Sequence, residues 1–330
     1  MSLRTQSLTD LEIVVVDDGS TDNTLEVIRA HAAQDRRITV LTPTPMRSAA
    51  GARNAGLRAT RGRYIALLDG DDIALPHRLE RTVRVLDDTG AEVAFADFSK
   101  FRMREVRGVQ VRDDEPGYLS SKGFTRDARR YLDPVSNGVY RCRPAFVGFM
   151  LSQSIALNVP TVVISRRALE RQPTWFDRRL VGGEDLDLFY RLASAELMVY
   201  IDEVLTHVRM HPTSLTATHA ERCSADAIEV RLTQLRRLAE FISPEEKERA
   251  KTMVSRSLFS LAYDRWTKGR NRDARHAFIA SWNIAPTSEA ALGFVKTFFP
   301  REKLIAVAHA YRRSVLGRRS IDTEVLTHDT

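Results

Sequence analysis

Cysteine is scarce. Cys142 and Cys223 are the only two in 330 residues, and their separation leaves neither a CxxC pair nor the framework of a disulfide-rich domain. Long hydrophobic runs are missing too. The longest, such as Ile13–Val16 and Tyr64–Leu68, are far too short to span a bilayer, and Met1–Asp10 carries no apolar stretch of the kind a secretory leader uses. A reducing cytoplasm is the location these features fit. No zinc-finger spacing and no RNA-binding aromatic run accompanies the basic charge, so nucleic acid is not expected as a partner. No GxGxxG follows an apolar run, which disfavours a dinucleotide oxidoreductase.

What is present points elsewhere. The 43% hydrophobic and 28% charged fractions are those of a globular protein with a real core. A chain of 330 residues allows one large or two ordinary domains. The net charge of +7 favours acidic partners, nucleotide phosphates or anionic lipid among them. Most informative is Asp69-Gly70-Asp71-Asp72, directly after Tyr64–Leu68. The apolar run reads as a short buried strand. Carboxylates at its end would put hard oxygen ligands at the carboxyl edge of a sheet, where open α/β folds bind ligands. Asp69 and Asp71 are two apart and could both reach one Mg²⁺ or Mn²⁺, ions that share their shell with substrate phosphates. A solvated acidic turn is the plain alternative.

Glu12–Val16 is another β-branched run, ending in Asp17-Asp18-Gly19-Ser20. Asn23 with Glu26 reads as the capping box of a helix. Ile38–Leu41, a small-residue helix over Ala50–Ala59, Tyr64–Leu68, a helix over His77–Asp88 and Ala91–Phe95 follow. The order β-α-β-α-β-α-β predicts a mostly parallel sheet flanked by helices. Lys100–Tyr140 reads as a long charged excursion without regular structure. Order returns with Phe146–Leu157, the strand-like Thr161–Ile164, a helix from Gly182-Gly183-Glu184-Asp185 through Ala193, and the strand Met198–Ile201.

After Thr218 the pattern is helical only. Ala225–Phe241 is followed by Glu245–Lys268 and Arg272–Asn283 as a helical hairpin, with Ala274, Ala277, Phe278 and Trp282 at packing positions. The expected organisation is therefore an α/β domain over 1–217, an all-α region over 218–320 and a disordered tail over 321–330. Arg301–Arg319 holds six Lys/Arg and one Glu. It reads either as a surface helix packed on its neighbours or as an amphipathic helix lying on anionic lipid at the inner face of the plasma membrane.

Five stretches in order resemble the family 2, GT-A-fold glycosyltransferases. They are Glu12 to Asp22; Gly51-Ala52-Arg53-Asn54-Ala55-Gly56 with Gly62-Arg63-Tyr64-Ile65; Asp69-Gly70-Asp71-Asp72 with Pro76 and Arg78-Leu79; Gly183-Glu184-Asp185-Leu186-Asp187-Leu188 with Arg191-Leu192; and Arg209-Met210-His211-Pro212-Thr213-Ser214-Leu215-Thr216. Together they cover roughly Leu3–Thr216. The resemblance implies a GT-A nucleotide-diphospho-sugar transferase fold and transfer of a sugar to a hydroxyl of a glycan or lipid-linked precursor, as in cell-envelope polysaccharide synthesis. The donor would be a UDP- or dTDP-sugar, and Mn²⁺ or Mg²⁺ would offset the charge on the leaving diphosphate. By the same resemblance Asp71 would be the principal metal ligand, with Asp69 on the ribose or the ion and His211 as a further contact. Asp18 would accept from the base and Arg53 would lie near the base or diphosphate. Asp185 would be the general base of an inverting single displacement, with Glu184 in support. Gly182-Gly183 would let the backbone approach the sugar.

The family normally opens with a strand and a Pro-Thr-Tyr-Asn-like motif, followed by a helix whose end resembles Ser2–Leu8. This chain starts inside that helix. Either the start lies upstream, or another segment fills the place, or the chain is a catalytically impaired nucleotide-sugar-binding or scaffold protein. A phosphohydrolase is a further alternative for Asp-x-Asp after a strand, but it would need its acidic pair on the first strand and Thr or Val where Ile73 stands.

Overall fold

The computed structural model describes residues 2–44, 48–107, 109–153 and 157–299, and the chain divides into units of residues 1–250 and 251–330. The basic stretch Arg301–Arg319 and the tail 321–330 lie outside the described residues.

Each apolar run of the amino-terminal half forms a strand. β1 (Ile13–Val16) pairs in parallel with β2 (Ile38–Leu41), Ile13 opposite Ile38, after a crossover through α1 (Thr24–Ala32). The side chain of Asn23 makes no capping bond. Asp22 does the work instead, its Oδ1 accepting from Thr24 N at 3.0 Å in a local turn that competes for the same backbone. α2 (Ala49–Ala59) begins at Ser48, whose hydroxyl accepts from Gly51 N. Then come β3 (Tyr64–Ala66), β4 (Ile73–Ala74), α3 (Arg78–Thr89), stopped by left-handed Gly90, and the long β5 (Val93–Val106).

The segment expected to be irregular is structured. β5 turns into β6 (Val109–Asp114) with Phe101 opposite Asp114. Two short helices, α4 (Tyr118–Ser121) and α5 (Phe124–Asp127), lead to β7 (Leu132–Ser136) and β8 (Val139–Cys142). The hairpin escapes sequence reading because its outer half is exposed on both faces. Charge rather than apolar alternation marks it, as in the cross-strand pair Arg104–Asp113 at 3.2 Å. Buried Asp97 on β5 fixes α4 by accepting from Leu119 N at 2.7 Å and Ser120 N at 3.0 Å.

α6 (Phe146–Gln153), β9 (Val162–Ser165), α7 (Arg166–Glu170), α8 (Glu184–Ala195) and β10 (Met198–Arg209) complete the α/β body. The large sheet runs β3-β9-β5-β10-β8-β7, with β4 on β10 and β6 on β5. It is mixed rather than mostly parallel. Among the described residues only β1–β2 and β5–β10 are parallel. β9 inserts antiparallel between β3 and β5, and an apolar run carries no sign of its direction. α2 packs with Ile65, Val93 and Phe95 on one face. α3 packs with Ala94, Ala96 and Val163 on the other. The core of the first face is aromatic: Tyr200 meets Phe124 at 4.7 Å and Phe95 at 5.1 Å between ring centroids.

α9 (Leu215–Thr218) and α10 (Ala220–Arg237) follow within the first unit, and α10 lies against α8. α11 (Pro244–Thr267) contains the division. In the second unit, α12 (Asn271–Ile284) returns along α11, and α13 (Ser288–Lys296) closes the group. Ser255 and Ser281 bond reciprocally there, each hydroxyl donating to the other's carbonyl at 3.0 and 2.9 Å. Ala274, Ala277 and Phe278 pack as expected, but Trp282 is 44% exposed. It lies four residues past Phe278, at the outer margin of the apolar stripe.

Candidate active site

The carboxyl ends of β1 and β3, the end of β10 and the first turn of α8 bring the acidic motifs to one region. Asp17, at the end of β1, is buried and accepts from Ser20 N at 3.1 Å and from the Ser20 hydroxyl. It therefore builds the turn. Asp18 accepts from Ser48 N at 2.9 Å, at the start of α2.

One turn into α2, Arg53 reaches two motifs at once. Its guanidinium donates to Asp69 at 3.0 Å and to Glu184 at 2.5 Å, and it lies 5.6 Å from the centre of the Phe176 ring. Burial works against its charge, but Asp69, Glu184 and Asp185 hold its pKa above the ordinary arginine value. Burial raises the Asp185 pKa and Arg53 opposes the rise. Glu184 is raised by burial and by Asp185, again against Arg53.

The second cluster is Asp71 with His211. His211 Nε2 lies 2.8 Å from Asp71 Oδ2, and its Nδ1 lies 2.9 Å from the Thr213 hydroxyl. Asp72 is stapled to the end of β10 by Arg209 N at 2.8 Å. Burial pushes its carboxyl up to about 7, with Asp71 and Asp69 adding to the rise and Arg209 N opposing it. Beneath the loop Arg78 is fully buried and donates to Leu67 O at 3.1 Å.

The expected residues thus fall into two groups, Asp71–His211 and Arg53–Asp69–Glu184–Asp185, with Asp18 at the head of α2. The carboxylate of Asp69 is engaged by Arg53 rather than turned onto the Asp71–His211 pair. No three acidic, histidine or cysteine side chains converge among the described residues. Asp71 and His211 are nevertheless partly exposed, at 38% and 28%, and adjacent. The Asp71 carboxylate is the kind of oxygen ligand that suits Mg²⁺ or Mn²⁺, ions that take only one or two carboxylates from a protein at such sites.

Gly182 and Gly183 make room within the protein itself. A Cβ on Gly182 would lie 2.7 Å from Cys223 Sγ, and one on Gly183 would lie 3.2 Å from Ala227 Cα, with φ at +85°. The glycines let the head of α8 press against α10. Gly183→Ala should therefore cost about 1–2 kcal/mol from the left-handed backbone alone, read as a lower thermal midpoint at unchanged metal affinity.

Sequence reading missed Asp226 and Gln234, which hold α8 in place, and gave no role to Arg191 and Asn54. Asp226 on α10 is buried. It accepts from Val181 N at 2.8 Å and from Arg222 Nε at 2.8 Å. Gln234 donates to Asp187 at 2.7 Å. Arg191 donates to Asp187 at 2.9 Å and to the carbonyls of Thr174 and Trp175 at 2.8 and 2.7 Å. Asn54 clamps Phe176 by its backbone through both amide atoms. The sequence gives no sign of Asp226 and Gln234, because local periodicity assigns such polar positions to solvent. Asp226→Ala should slow turnover about 10- to 100-fold, the scale on which small misplacements of reacting groups are felt, while nucleotide titrations stay unchanged. Asp226→Asn, which keeps an acceptor, should recover most of the loss.

This arrangement can be set beside known proteins. Residues 1–148 match the family model "Glycosyl transferase family 2". GlyG, a glycosyltransferase of Streptococcus pneumoniae, is 34% identical over 231 residues, covering 68% of this chain and 70% of that protein. The succinoglycan biosynthesis protein ExoO of Rhizobium meliloti is 34% identical over 187 residues, or 56% of this chain and 47% of ExoO. The chain thus spans about half the length of that relative. Among solved structures, S. aureus TarS 1–349 in complex with UDP-GlcNAc aligns with a TM-score of 0.56 at 15% identity, covering 95% of this chain and 86% of that one. At that identity the likeness speaks for the fold, a GT-A-like mixed sheet flanked by helices with a helical carboxyl-terminal region. The chain belongs to glycosyl transferase family 2.

Proposed function

We propose that this chain transfers a sugar from a nucleotide-diphospho-sugar, UDP- or dTDP-linked, to a hydroxyl of a glycan or lipid-linked precursor. One observation carries the reading. Arg53 joins Asp69 of the strand-end acidic motif to Glu184 of the helix-start acidic motif within a single set of ion pairs. Two acidic stations far apart in sequence so become neighbours in one site. The name of TarS 1–349's bound ligand and the names of ExoO and GlyG support the donor class and a polysaccharide context.

Asp71 and His211 would hold Mg²⁺ or Mn²⁺ there, and the ion would offset charge on the leaving diphosphate. Asp18 receives the base, and Arg53 steadies Asp69 and Glu184 beside the diphosphate. Asp185 takes the proton of the acceptor hydroxyl as its oxygen forms a bond to the anomeric carbon. The bond from that carbon to the β-phosphate oxygen breaks on the opposite face, so configuration inverts and a nucleoside diphosphate departs. Glu184 fixes Arg53 and shares the site's negative charge. Two free cysteines, Cys142 and Cys223, suit a reducing cytoplasm. No helix among the described residues is long and apolar enough to cross a membrane.

Nucleotide-sugar binding without turnover is the second reading. It is favoured by one feature: among the described residues β1 pairs with β2 alone and β3 with β9 alone, each leaving an edge beside the proposed base pocket. Calorimetric titration with UDP, dTDP and GDP, each with and without Mn²⁺, tests the donor assignment. The expected result is metal-dependent binding of UDP or dTDP, and binding of none of the three would overturn it. Release of nucleoside diphosphate in the presence of acceptor separates transfer from binding alone.

A further inference from the structure

The second unit carries all of the chain's excess charge. Residues 251–330 hold 14 lysines and arginines against 7 aspartates and glutamates, a net +7 equal to that of the whole chain, whereas residues 1–250 balance at 36 against 36. Exposed aromatic rings follow the same division. Among the described residues five aromatic side chains are exposed, Phe241, Tyr263, Trp282, Phe298 and Phe299, and all but Phe241 belong to the second unit. Single exposed apolar residues are ordinary, but a group of them set among charges of one sign marks a contact surface.

α12 and α13 bring these side chains together. The Arg275 guanidinium of α12 lies 4.6 Å from the centre of the Phe298 ring, just past the end of α13. Phe298 in turn meets Phe294 edge-on at 5.2 Å. Ile279 and Trp282 stand four and seven residues beyond Arg275 on the same flank of α12, and both are exposed. On α13 the side holding Ala290 and Gly293 is buried, and a Cβ on Gly293 would collide with the Phe278 ring. Leu292 and Val295 therefore lie on the opposite, outer side, and both are exposed. Turns past the helix add Phe298 and Phe299, their N–H groups donating to Val295 O and Lys296 O. Arg272, Arg275 and Lys296 stand among these apolar groups.

Few partners answer such a surface. A second copy would set positive charge against positive charge. The residues that follow, 301–319, would do the same, with six Lys/Arg to one Glu. An acidic peptide or a nucleic acid would meet the charge, but would leave Ile279, Leu292 and Val295 without an apolar partner. A bilayer with anionic headgroups meets both, since it sets a negative surface over an apolar layer. We propose that the α12–α13 face of the second unit binds a lipid surface bearing anionic headgroups. Trp282, Phe298 and Phe299 enter the boundary between headgroups and acyl chains, and Arg272, Arg275 and Lys296 face the phosphates. This contact stands on described helices, apart from the lipid reading of Arg301–Arg319, and it is independent of the transferase reading.

The test is flotation of the full chain with vesicles of phosphatidylcholine alone and of phosphatidylcholine mixed equally with phosphatidylglycerol. Binding should be confined to the mixed vesicles and should weaken as salt is added. Tryptophan emission should shift to the blue on binding, because Trp282 alone of the three tryptophans is exposed. Trp282→Ser combined with Phe299→Ser should weaken binding about ten-fold or more. Arg272→Glu combined with Lys296→Glu should do the same, and both pairs should keep the circular dichroism of the wild type. Val109→Ser, at an exposed apolar position of β6, should bind like the wild type. Equal binding to both kinds of vesicle, or binding to neither, would overturn the proposal. So would full binding by the Trp282 and Phe299 pair, which would move the contact to another segment. Self-association without vesicles that the same pair abolishes would make this face an interface between copies instead. Nucleotide binding is not read out, so failure here leaves the donor assignment untouched.

Discussion

Asp71→Ala should abolish metal-dependent nucleotide binding and lower turnover by about 10³-fold, equivalent to about 4 kcal/mol of transition-state stabilisation. Asp71 is the carboxylate of the strand-end motif whose oxygen lies at 2.8 Å from His211 Nε2. Its removal leaves a lone imidazole, a poor holder of Mg²⁺ or Mn²⁺. The fold should survive, because Asp71 is exposed in part and its side chain bonds to His211, which is itself partly exposed. Chelation of the wild-type chain should reproduce the mutant's loss, and added Mn²⁺ should rescue the former only. Asp69→Asn makes the informative contrast. Its carboxylate is engaged by Arg53 at 3.0 Å, so the substitution should weaken turnover while leaving Mn²⁺ affinity near wild type. Calorimetry with UDP and Mn²⁺ on the two variants reads the difference. Equal metal dependence in Asp71→Ala and wild type would move the ion's site elsewhere.

Why these residues could be found without coordinates has a physical reason. An apolar run that ends in carboxylates marks both the strand and its functional edge, so Asp17-Asp18 and Asp69-Asp72 announce themselves. Glu184 and Asp185 stand out because two glycines and two acids open an apolar helix. What was not legible depends on long-range packing. The antiparallel insertion of β9 leaves no trace in a four-residue apolar run, and so a mixed sheet reads as a parallel one. The β5–β6 hairpin is hidden because its exposed strands are stabilised by cross-strand ion pairs rather than an apolar face. The grip of α10 on the head of α8 rests on Asp226 and Gln234, polar residues that local periodicity assigns to solvent. Gly182 and Gly183 were legible as special, but not what they make room for, because Cys223 and Ala227 come from a helix some forty residues further on.

Asp185→Asn should lower kcat by about 10³-fold, within the range that removal of a general base produces, and should leave UDP binding with Mn²⁺ intact. The asparagine keeps the side chain's size and an acceptor for Leu186 N, which Asp185 Oδ1 meets at 2.8 Å, so the loss reports chemistry rather than folding. The pH profile gives the sharper signature. A base works only when ionised, and burial raises the Asp185 pKa while Arg53 opposes the rise. Activity should therefore fall, as pH is lowered, through a value above the ordinary aspartate range. That limb should be missing from the residual activity of Asp185→Asn. Arg53→Met removes the opposing cation and should move the limb to still higher pH. Glu184→Gln removes a neighbouring negative charge and should move it lower. Stability carries the opposite sign from activity. A carboxyl whose pKa is raised on folding favours the folded state when protonated, and that contribution is lost as pH rises through the folded value. At neutral pH ionised Asp185 is therefore a cost to the fold, and Asp185→Asn should raise the thermal midpoint at pH 7 while the gain shrinks towards pH 4. A variant slower in transfer yet more stable at neutral pH is the behaviour of a carboxylate kept for reaction rather than for structure. Turnover unchanged in Asp185→Asn would instead move the base to another residue, and no turnover by the wild-type chain would favour the binding role without catalysis.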